Sequence, residues 1–370
     1  MTRSLPGERT GQWSARRDRW AKRLQGTATN VGLKATPGIP TRVKRLMAGG
    51  RSVTIDGNTL DPTLQLTLAA QRAMGINGLV IDGDVEGSRA NMRETIGALP
   101  VRDIHVAVTD ISIPGPGGPL AVRHYRPDGD EAKPLLIYLH GGGWVLGDLD
   151  VYDAVCRLTC RDGDVGVLAV DYRLAPEHPA PAAVDDAYAA YLWAHSHAEE
   201  LGAIPGRVAV GGDSAGANMA TVVAMSARDR GDPAPELQWL VYPVVDCTAQ
   251  TRSRTLFADG FLLTKHDMDW FTDQYVGLSD LEPTDPLVSP LLAADLSGLP
   301  PALVAVAGFD PLRDEGERYA AALRAAGNIV DLRVMRSVIH GFMSLSPLGG
   351  DSAVATTELI SALRAHLTRG

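Results

Sequence analysis

The stretch VAVGGDSAGAN, residues 208–218, decides the fold of this chain. An apolar run enters the pattern Gly-x-Ser-x-Gly around Ser214, and a helix-forming segment follows it. A strand, turn and helix of this kind hold a serine on a tight, strained turn, and glycines two residues to either side leave room for neighbouring backbone. The motif is short, and a chain with 39 glycines can contain it by chance. The rest of the chain has to support it.

Short apolar runs on both sides of this stretch alternate with helical segments. Near-continuous apolar runs are typical of strands that are buried on both faces. They occupy residues 134–139, 165–170, 207–211, 239–242, 302–307 and 329–335, and helices are predicted over 151–161, 182–197, 215–228, 313–326 and 352–367. Two extended runs, 105–113 and 120–125, flank a Pro-Gly turn and predict a hairpin. The predicted fold class is α/β, with a mostly parallel sheet and an antiparallel first edge.

Residues 1–100 and about 245–290 do not join this alternation of strands and helices, and both segments favour helices. We expect residues 1–57 to be a basic extension that belongs to a cap over the sheet, and residues 58–100 to be cap helices. Residues 101–370 would form the catalytic domain, with a further cap insert at about 245–290. A separate amino-terminal domain is the alternative.

Charge is distributed unevenly along the chain. The 370 residues carry a net charge of -9, but residues 1–51 hold 12 basic against two acidic side chains, a local charge of +10. The remainder holds 23 basic against 42 acidic side chains, a charge of -19. An acidic body argues against nucleic-acid binding, because contacts to phosphate need clustered Lys and Arg.

The basic arm contains a candidate amphipathic helix from Trp13 to Leu24. We expect it either to form the outer part of the cap or to make a peripheral contact with anionic membrane lipid. No apolar run has the ~18 residues of a membrane helix, and no signal peptide is evident, so the expected location is cytoplasmic, with membrane association as the alternative. The three cysteines do not form a disulfide framework or a metal-ligand pattern, and neither metal nor organic cofactor is expected.

Three further groups support a serine nucleophile at Ser214. HGGGW, residues 140–144, follows a predicted strand directly, and side-chain-free residues let backbone amides approach a developing oxyanion. A weakly acidic serine also needs a base, and the base needs a carboxylate to orient it. His340 follows the last predicted strand, and Asp310 follows the one before it. Ser, Asp, His is the chain order of α/β-hydrolases.

Together these motifs resemble the hormone-sensitive-lipase-like family of α/β-hydrolases, in its bacterial esterase branch. The resemblance rests on HGGGW (140–144), GDSAG (212–216), DPLRDEG (310–316) and HGF (340–342), and it covers about residues 58–368. It implies an eight-stranded sheet beneath a helical cap. The chain departs from the family at Tyr152, where members often carry His.

The resemblance also implies roles for individual residues. Ser214 would be the nucleophile, His340 the general base and then acid, and Asp310 the orienting carboxylate. The amides of Gly141, Gly142 and Ala215 would form the oxyanion hole. Trp144, Phe261 and Phe342 are candidates for the walls of an acyl pocket, with core packing as the alternative for each.

The predicted function is hydrolysis of small-molecule carboxylic esters with short to medium acyl chains, by a carboxylesterase or lipase that forms an acyl-enzyme. Other acyl-transfer enzymes, such as an amidase, lactonase or acyltransferase, share these motifs and stay open. A non-catalytic binding protein on the same fold is a more distant alternative. The resemblance implies a monomer or a homodimer.

Overall fold

The computed structural model describes residues 36–100 and 103–368 of the chain. Its main sheet has eight strands: β3 (Ala107–Gly115), β4 (Gly118–Arg126), β5 (Lys133–Leu139), β6 (Gly166–Val170), β7 (Ala203–Asp213), β8 (Gln238–Val241), β9 (Ala302–Phe309) and β10 (Val330–Ile339). Their spatial order is β10-β9-β8-β7-β5-β6-β4-β3. A separate two-stranded hairpin, β1 (Thr54–Ile55) and β2 (Asn58–Thr59), precedes the sheet.

Only the first two strands of the sheet break its parallel order. β3 pairs antiparallel with β4, and β4 pairs antiparallel with β6. The pairs β5–β6, β5–β7, β7–β8, β8–β9 and β9–β10 are all parallel. The predicted hairpin at the first edge and the predicted mostly parallel sheet are thus both confirmed.

Both faces of the sheet are buried, which explains the near-continuous apolar runs. In β5, Leu135, Ile137 and Leu139 belong to one hydrophobic cluster, whereas Leu136 and Tyr138 belong to the other. Successive side chains of a strand point to opposite faces. Helices on each face complete the two clusters, as parallel sheets require.

Ten α-helices lie in the described part of the chain. They are α1 (Thr41–Met47), α2 (Pro62–Ala73), α3 (Val85–Gly97), α4 (Asp153–Gly163), α5 (Ala182–Ser196), α6 (Ala215–Arg230), α7 (Arg252–Leu256), α8 (Lys265–Val276), α9 (Arg313–Ala325) and α10 (Gly350–Leu367). The five helices predicted to alternate with the strands correspond to α4, α5, α6, α9 and α10. The helix predicted over Trp13 to Leu24 lies outside the described residues.

The amino-terminal helices begin at strong capping residues. Asp61 accepts hydrogen bonds from the amides of Thr63 (2.8 Å) and Leu64 (3.0 Å) at the start of α2, and Asp84 caps α3. Asp61 also fixes α2 to the body, because its own amide donates to Ser337 O of β10 (2.9 Å). α2 therefore starts beside the strand that leads to His340.

Candidate active site

Ser214 lies on the turn between β7 and α6, with φ +55° and ψ -118°. A left-handed φ is unfavourable for a residue with a side chain and persists only where the surroundings enforce it. A Cβ atom at Gly212 or Gly216 would overlap the carbonyl oxygen of Leu139 on the neighbouring strand. The two glycines are therefore required for the turn to pack this closely against β5.

Three side chains that the sequence placed at separate strand ends meet at one point. His340 Nε2 lies 2.9 Å from Ser214 Oγ, and His340 Nδ1 lies 2.8 Å from Asp310 Oδ2. Asp310 is fully buried, and only 5% of His340 is exposed. β7, β9 and β10 run parallel, so their carboxyl ends bring the three residues to the same edge of the sheet.

The hydrogen bonds also fix which nitrogen of His340 is free to accept a proton. A carboxylate accepts hydrogen bonds, so Nδ1 donates to Asp310 and Nε2 keeps its lone pair towards Ser214. Asp310 is itself held in place, because its Oδ1 accepts the amide of Leu312 (2.8 Å). This arrangement can remove the proton of the serine hydroxyl as the oxygen attacks a carbonyl carbon.

The glycine loop after β5 supplies hydrogen-bond donors beside Ser214. Gly142 and Gly143 have φ values of +116° and +62°. Among residues 36–100 and 103–368, no acceptor meets the amides of Gly142, Gly143 or Ala215. Unpaired amides next to a nucleophile are suited to an oxyanion.

The glycine loop differs from the predicted oxyanion hole at Gly141. Its amide donates to Asp213 Oδ1 (2.9 Å), so its single hydrogen is not available to a substrate. Asp213 is 3% exposed and also accepts the hydroxyl of Tyr138 (2.7 Å); burial raises the pKa of its carboxyl. Gly141 thus joins the glycine loop to the serine turn, and Gly143 offers the amide that the sequence prediction omitted.

His140 does not serve as a second base in this geometry. Its Nδ1 lies 2.8 Å from Gly141 O, and its ring stacks on Tyr172 at 4.2 Å. Burial lowers the pKa of His140 to about 4, which keeps the imidazole neutral near pH 7. The residue helps to shape the glycine loop.

Helix α8 packs directly on the glycine loop. Trp144 has the left-handed φ of +62°, and its ring stacks on Tyr275 with 4.4 Å between centroids and an interplanar angle of 3°. A Cβ atom at Gly143 would overlap the ring of Phe271. Glycine is therefore required at this position, and two aromatic rings of α8 confine residues 143 and 144.

A cavity of about 760 Å³ lies above Ser214, within the size range of small-molecule sites. Trp144, a candidate for the wall of an acyl pocket, lines this cavity. Its walls come from the amino-terminal helices, from the loop after His340 and from α7 and α8. The structure places the other two candidates, Phe261 and Phe342, elsewhere. Phe261 stacks on Phe309 at 5.7 Å, and Phe342 is fully buried against Tyr242, so neither lines the cavity.

One buried ion pair borders this cavity. Arg254 lines it, and its guanidinium donates through Nε to Glu315 Oε2 (2.9 Å) and through Nη2 to Asp246 O (2.7 Å). Glu315 is fully buried and also accepts the amide of Val245 (3.0 Å). Burial raises the pKa of this carboxyl to about 7, against the opposing effect of Arg254. Neither Glu315 nor Arg254 was predicted from the sequence to take part in the site.

Across residues 36–100 and 103–368, no three His, Cys, Asp or Glu side chains are grouped in a way that could hold a metal ion. None of the helices in this part of the chain has both the length and the apolar character needed to cross a bilayer.

Several known proteins with similar sequences are ester hydrolases. The chain is 63% identical to the carboxylic ester hydrolase LipN of Mycobacterium tuberculosis, over all of both chains. It is 40% identical to an ethyl acetate hydrolase of Pseudomonas putida, over 70% of this chain and 83% of that protein. Among solved structures, a thermostable esterase from Pseudomonas putida ECU1011 superposes with a TM-score of 0.78 at 35% identity, covering 83% of this chain and 97% of the other.

The family comparison agrees with the motifs and the fold. Residues 136–344 match the family described as having an alpha/beta hydrolase fold, and this range contains the glycine loop, the serine turn, Asp310 and His340. The chain therefore belongs to the hormone-sensitive-lipase-like family of α/β-hydrolases.

Proposed function

We propose that the protein is a serine carboxylic-ester hydrolase that acts on short- to medium-chain esters through an acyl-enzyme on Ser214. The observation that carries this proposal is the chain of contacts from Ser214 Oγ to His340 Nε2 (2.9 Å) and from His340 Nδ1 to Asp310 Oδ2 (2.8 Å). The similarity to a carboxylic ester hydrolase along the whole chain supports it.

In the acylation step, His340 Nε2 takes the hydroxyl proton of Ser214 while Oγ attacks the ester carbonyl carbon. The carbonyl oxygen gains negative charge, which the amides of Gly142, Gly143 and Ala215 stabilise. The bond to the alcohol oxygen then breaks, His340 passes its proton to that oxygen, and the alcohol leaves. Asp310 stabilises the imidazolium that exists between these events.

Deacylation repeats the sequence with water. His340 removes a proton from water as the oxygen attacks the acyl carbon, and the resulting tetrahedral centre collapses. The proton returns from His340 to Ser214 Oγ, and the carboxylic acid is released. The amides of Gly142, Gly143 and Ala215 stabilise the developing negative charge in both halves of the reaction.

We also propose that residues 58–100 and the insert at about 245–290 act together as the cap over the site. Leu66 from the first segment and Phe271 from the second both line the cavity. Contact of the basic amino-terminal arm with anionic lipid stays a prediction.

The proposal is tested by substituting Ser214→Ala. Removal of the nucleophile should lower kcat for p-nitrophenyl butyrate by roughly 10⁴-fold or more. Ser112→Ala, an exposed serine on β3, is the matched control and should keep the wild-type rate. Equal rates in the Ser214→Ala variant and the wild type would contradict the proposal, as would failure of a fluorophosphonate probe to label the wild type at Ser214.

A further inference from the structure

Helix α1 carries a row of apolar side chains that meet solvent. Val43, Leu46 and Met47 recur at the i, i+3 and i+4 spacing of one helix face, with 43%, 75% and 58% of their surfaces exposed. We call these three side chains the α1 stripe. Lys44 lies off the stripe, where it is buried and its Nζ donates to Thr63 Oγ1 of α2 (2.9 Å). The helix therefore reverses the usual amphipathic arrangement, since a lysine packs on the body while its apolar side chains face outward.

The α1 stripe is a cluster and not a scatter of single exposed residues. Seven large apolar side chains are exposed among residues 36–100 and 103–368, and three of them lie on this helix of seven residues. Isolated exposed apolar residues are common on protein surfaces, whereas a contiguous group marks a contact with another molecule or with lipid. The stripe is thus a candidate interaction surface.

The α1 stripe borders an opening of the cavity of the active site. Met47 belongs to the stripe and also lines the cavity. Ala70 and Ala73 of α2 likewise line the cavity and are exposed. Asp269 does so too, but its carboxylate is paired with Lys265. Side chains that both line a cavity and meet solvent lie where the cavity opens, so the stripe continues directly into the apolar lining of the site.

The charge around the stripe has one sign. Residues 36–55 contain four basic side chains and no acidic one. Three of the four, Arg42, Arg45 and Arg51, are exposed, and none of them has an ion-pair partner within the described part of the chain. Their guanidinium groups are therefore available to an external anion.

The combination of apolar and basic side chains decides between the candidate occupants. Hydrocarbon beneath anionic headgroups matches both the stripe and its arginines. Nucleic acid would supply the negative charge but little apolar surface. Residues 1–35 carry eight basic against two acidic side chains, and the same face of a second copy would present the same arginines, so like charges oppose both of these occupants.

We infer that the α1 stripe docks on an anionic lipid surface, with its apolar side chains at the boundary between headgroups and acyl chains and the three arginines against the headgroups. The opening beside Met47 then faces the lipid, so apolar esters pass from the lipid into the cavity. This surface is separate from the helix predicted over Trp13 to Leu24, because it lies in the described chain and borders the site. Docking stands on α1 alone, and the passage of esters rests on the proposed function.

Co-sedimentation of the full-length protein with vesicles tests the docking. The wild type should bind equimolar phosphatidylcholine and phosphatidylglycerol vesicles more strongly than vesicles of phosphatidylcholine alone. Leu46→Asp should lower the partition coefficient on the anionic vesicles by about tenfold or more, because a buried leucine is replaced by a charge of the same sign as the lipid. No binding by the wild type, or equal binding by Leu46→Asp, would overturn the inference.

Ile329→Asp is the matched control for this variant. Ile329 is 70% exposed and precedes β10, at the opposite end of that strand from His340. The substitution introduces the same charge in place of a side chain of the same size, and binding should equal that of the wild type. Loss of binding as large as in Leu46→Asp would overturn the assignment to α1. A dimer that Leu46→Asp disrupts, with vesicle binding unchanged, would assign the stripe to a second copy and would overturn the inference as well.

The arginines are tested separately from the stripe. Arg42→Ala with Arg45→Ala should weaken binding to the anionic vesicles by about fivefold for each guanidinium removed, and the difference from the wild type should shrink as salt is added. Arg42→Lys with Arg45→Lys keeps both charges and should restore most of the binding. Wild-type binding by the alanine protein would overturn the role of charge, as would a lysine protein that binds as weakly as the alanine protein.

Two esters separate docking from catalysis. Leu46 does not line the cavity, so Leu46→Asp should hydrolyse dissolved p-nitrophenyl acetate at the wild-type rate. It should hydrolyse p-nitrophenyl decanoate carried in the anionic vesicles about tenfold more slowly than the wild type, in proportion to its weaker binding. Equal losses on both esters would overturn the passage of esters from lipid. A wild type that binds the vesicles but hydrolyses neither ester would contradict the proposed function and leave the docking intact.

Discussion

Trp144 combines a left-handed backbone with a near-parallel ring stack on Tyr275. Its position directly after Gly143 means that the stack helps to set the direction of the loop amides. The Tyr275 hydroxyl has no hydrogen-bond partner among the described residues, so the ring and not the hydroxyl makes the contact. The rate of the chemical step should therefore depend on an aromatic ring at position 275.

Tyr275→Leu should lower kcat for p-nitrophenyl butyrate by about tenfold to a hundredfold, with a smaller change in KM. The loss follows because the oxyanion donors shift and stabilise the transition state less, while ground-state binding depends on them little. Tyr275→Phe keeps the ring and should retain the wild-type kcat. Steady-state kinetics of both variants check this, and a Tyr275→Phe enzyme as slow as Tyr275→Leu would contradict it.

Residues at strand ends could be predicted from the sequence, but those set by contacts between segments could not. Ser214, Asp310 and His340 each follow an apolar run, and parallel strands bring such positions together. The hydrogen bond from the Gly141 amide to Asp213 forms because two loops that are distant in the chain approach each other in the fold. Neither segment carries a sequence pattern that would predict this approach. Phe342 lies next but one to His340 and is nevertheless buried in the core, because proximity in sequence does not fix the direction of a side chain.

At the scale of elements, α8 is the helix that links the two segments proposed as the cap. Asp267 is 1% exposed, and its carboxylate accepts the amides of Leu79 (3.1 Å) and Val80 (3.0 Å) from the amino-terminal segment. It also accepts the amide of Thr264 (2.9 Å) in a capping box at the start of α8. One side chain thus fixes a helix start and a loop that is distant in the chain.

Asp267→Asn should lower the free energy of unfolding by about 1–3 kcal/mol. The side-chain NH₂ group of Asn would face a buried backbone N–H group that needs an acceptor. Urea unfolding measures the change. Asp273→Asn alters an exposed aspartate of the same helix and should have an effect within about 0.5 kcal/mol. A loss of unfolding free energy in Asp267→Asn no larger than in this control would contradict the prediction, because it would show that the three backbone amides find other acceptors.

The positions of the strands in the main sheet could be predicted from the sequence, whereas for the two segments proposed as the cap only helical character could be predicted. Strands that are buried on both faces require a near-continuous apolar sequence, so their positions could be predicted from the sequence. α2 is apolar on more than one side, and only the folded chain reveals that Leu64 meets the core while Leu66 meets the cavity. The hairpin of β1 and β2 is too short to leave a signal.

At the scale of the whole molecule, two buried histidines make stability depend on pH. Burial lowers the pKa of His124 to about 4, and that of His140 likewise to about 4. The unfolded chain binds a proton at each position near the ordinary histidine pKa of ~6.5. As pH falls from about 6.5 towards 4, the unfolded state therefore takes up protons that the native state does not, and the free energy of unfolding decreases.

His124→Gln should reduce this acid sensitivity. His124 lies on β4, away from the serine turn, and its Nε2 meets no partner in the described structure. Lowering the pH from 7 to 4.5 should destabilise the wild type by about 2 kcal/mol more than the variant, since one proton uptake has been removed. Urea unfolding at both pH values measures the difference, and parallel curves for the two proteins would contradict the assignment.

The order of the last strands has a consequence for synthesis of the chain. From β7 outward, β8, β9 and β10 are added to the sheet in the order in which they occur in the chain. The nucleophile turn thus leaves the ribosome long before Asp310 and His340, which come with the two outermost strands. A nascent chain that has reached residue 300 carries Ser214 without Asp310 and His340, so on the proposed mechanism hydrolytic competence arises only when translation is nearly complete.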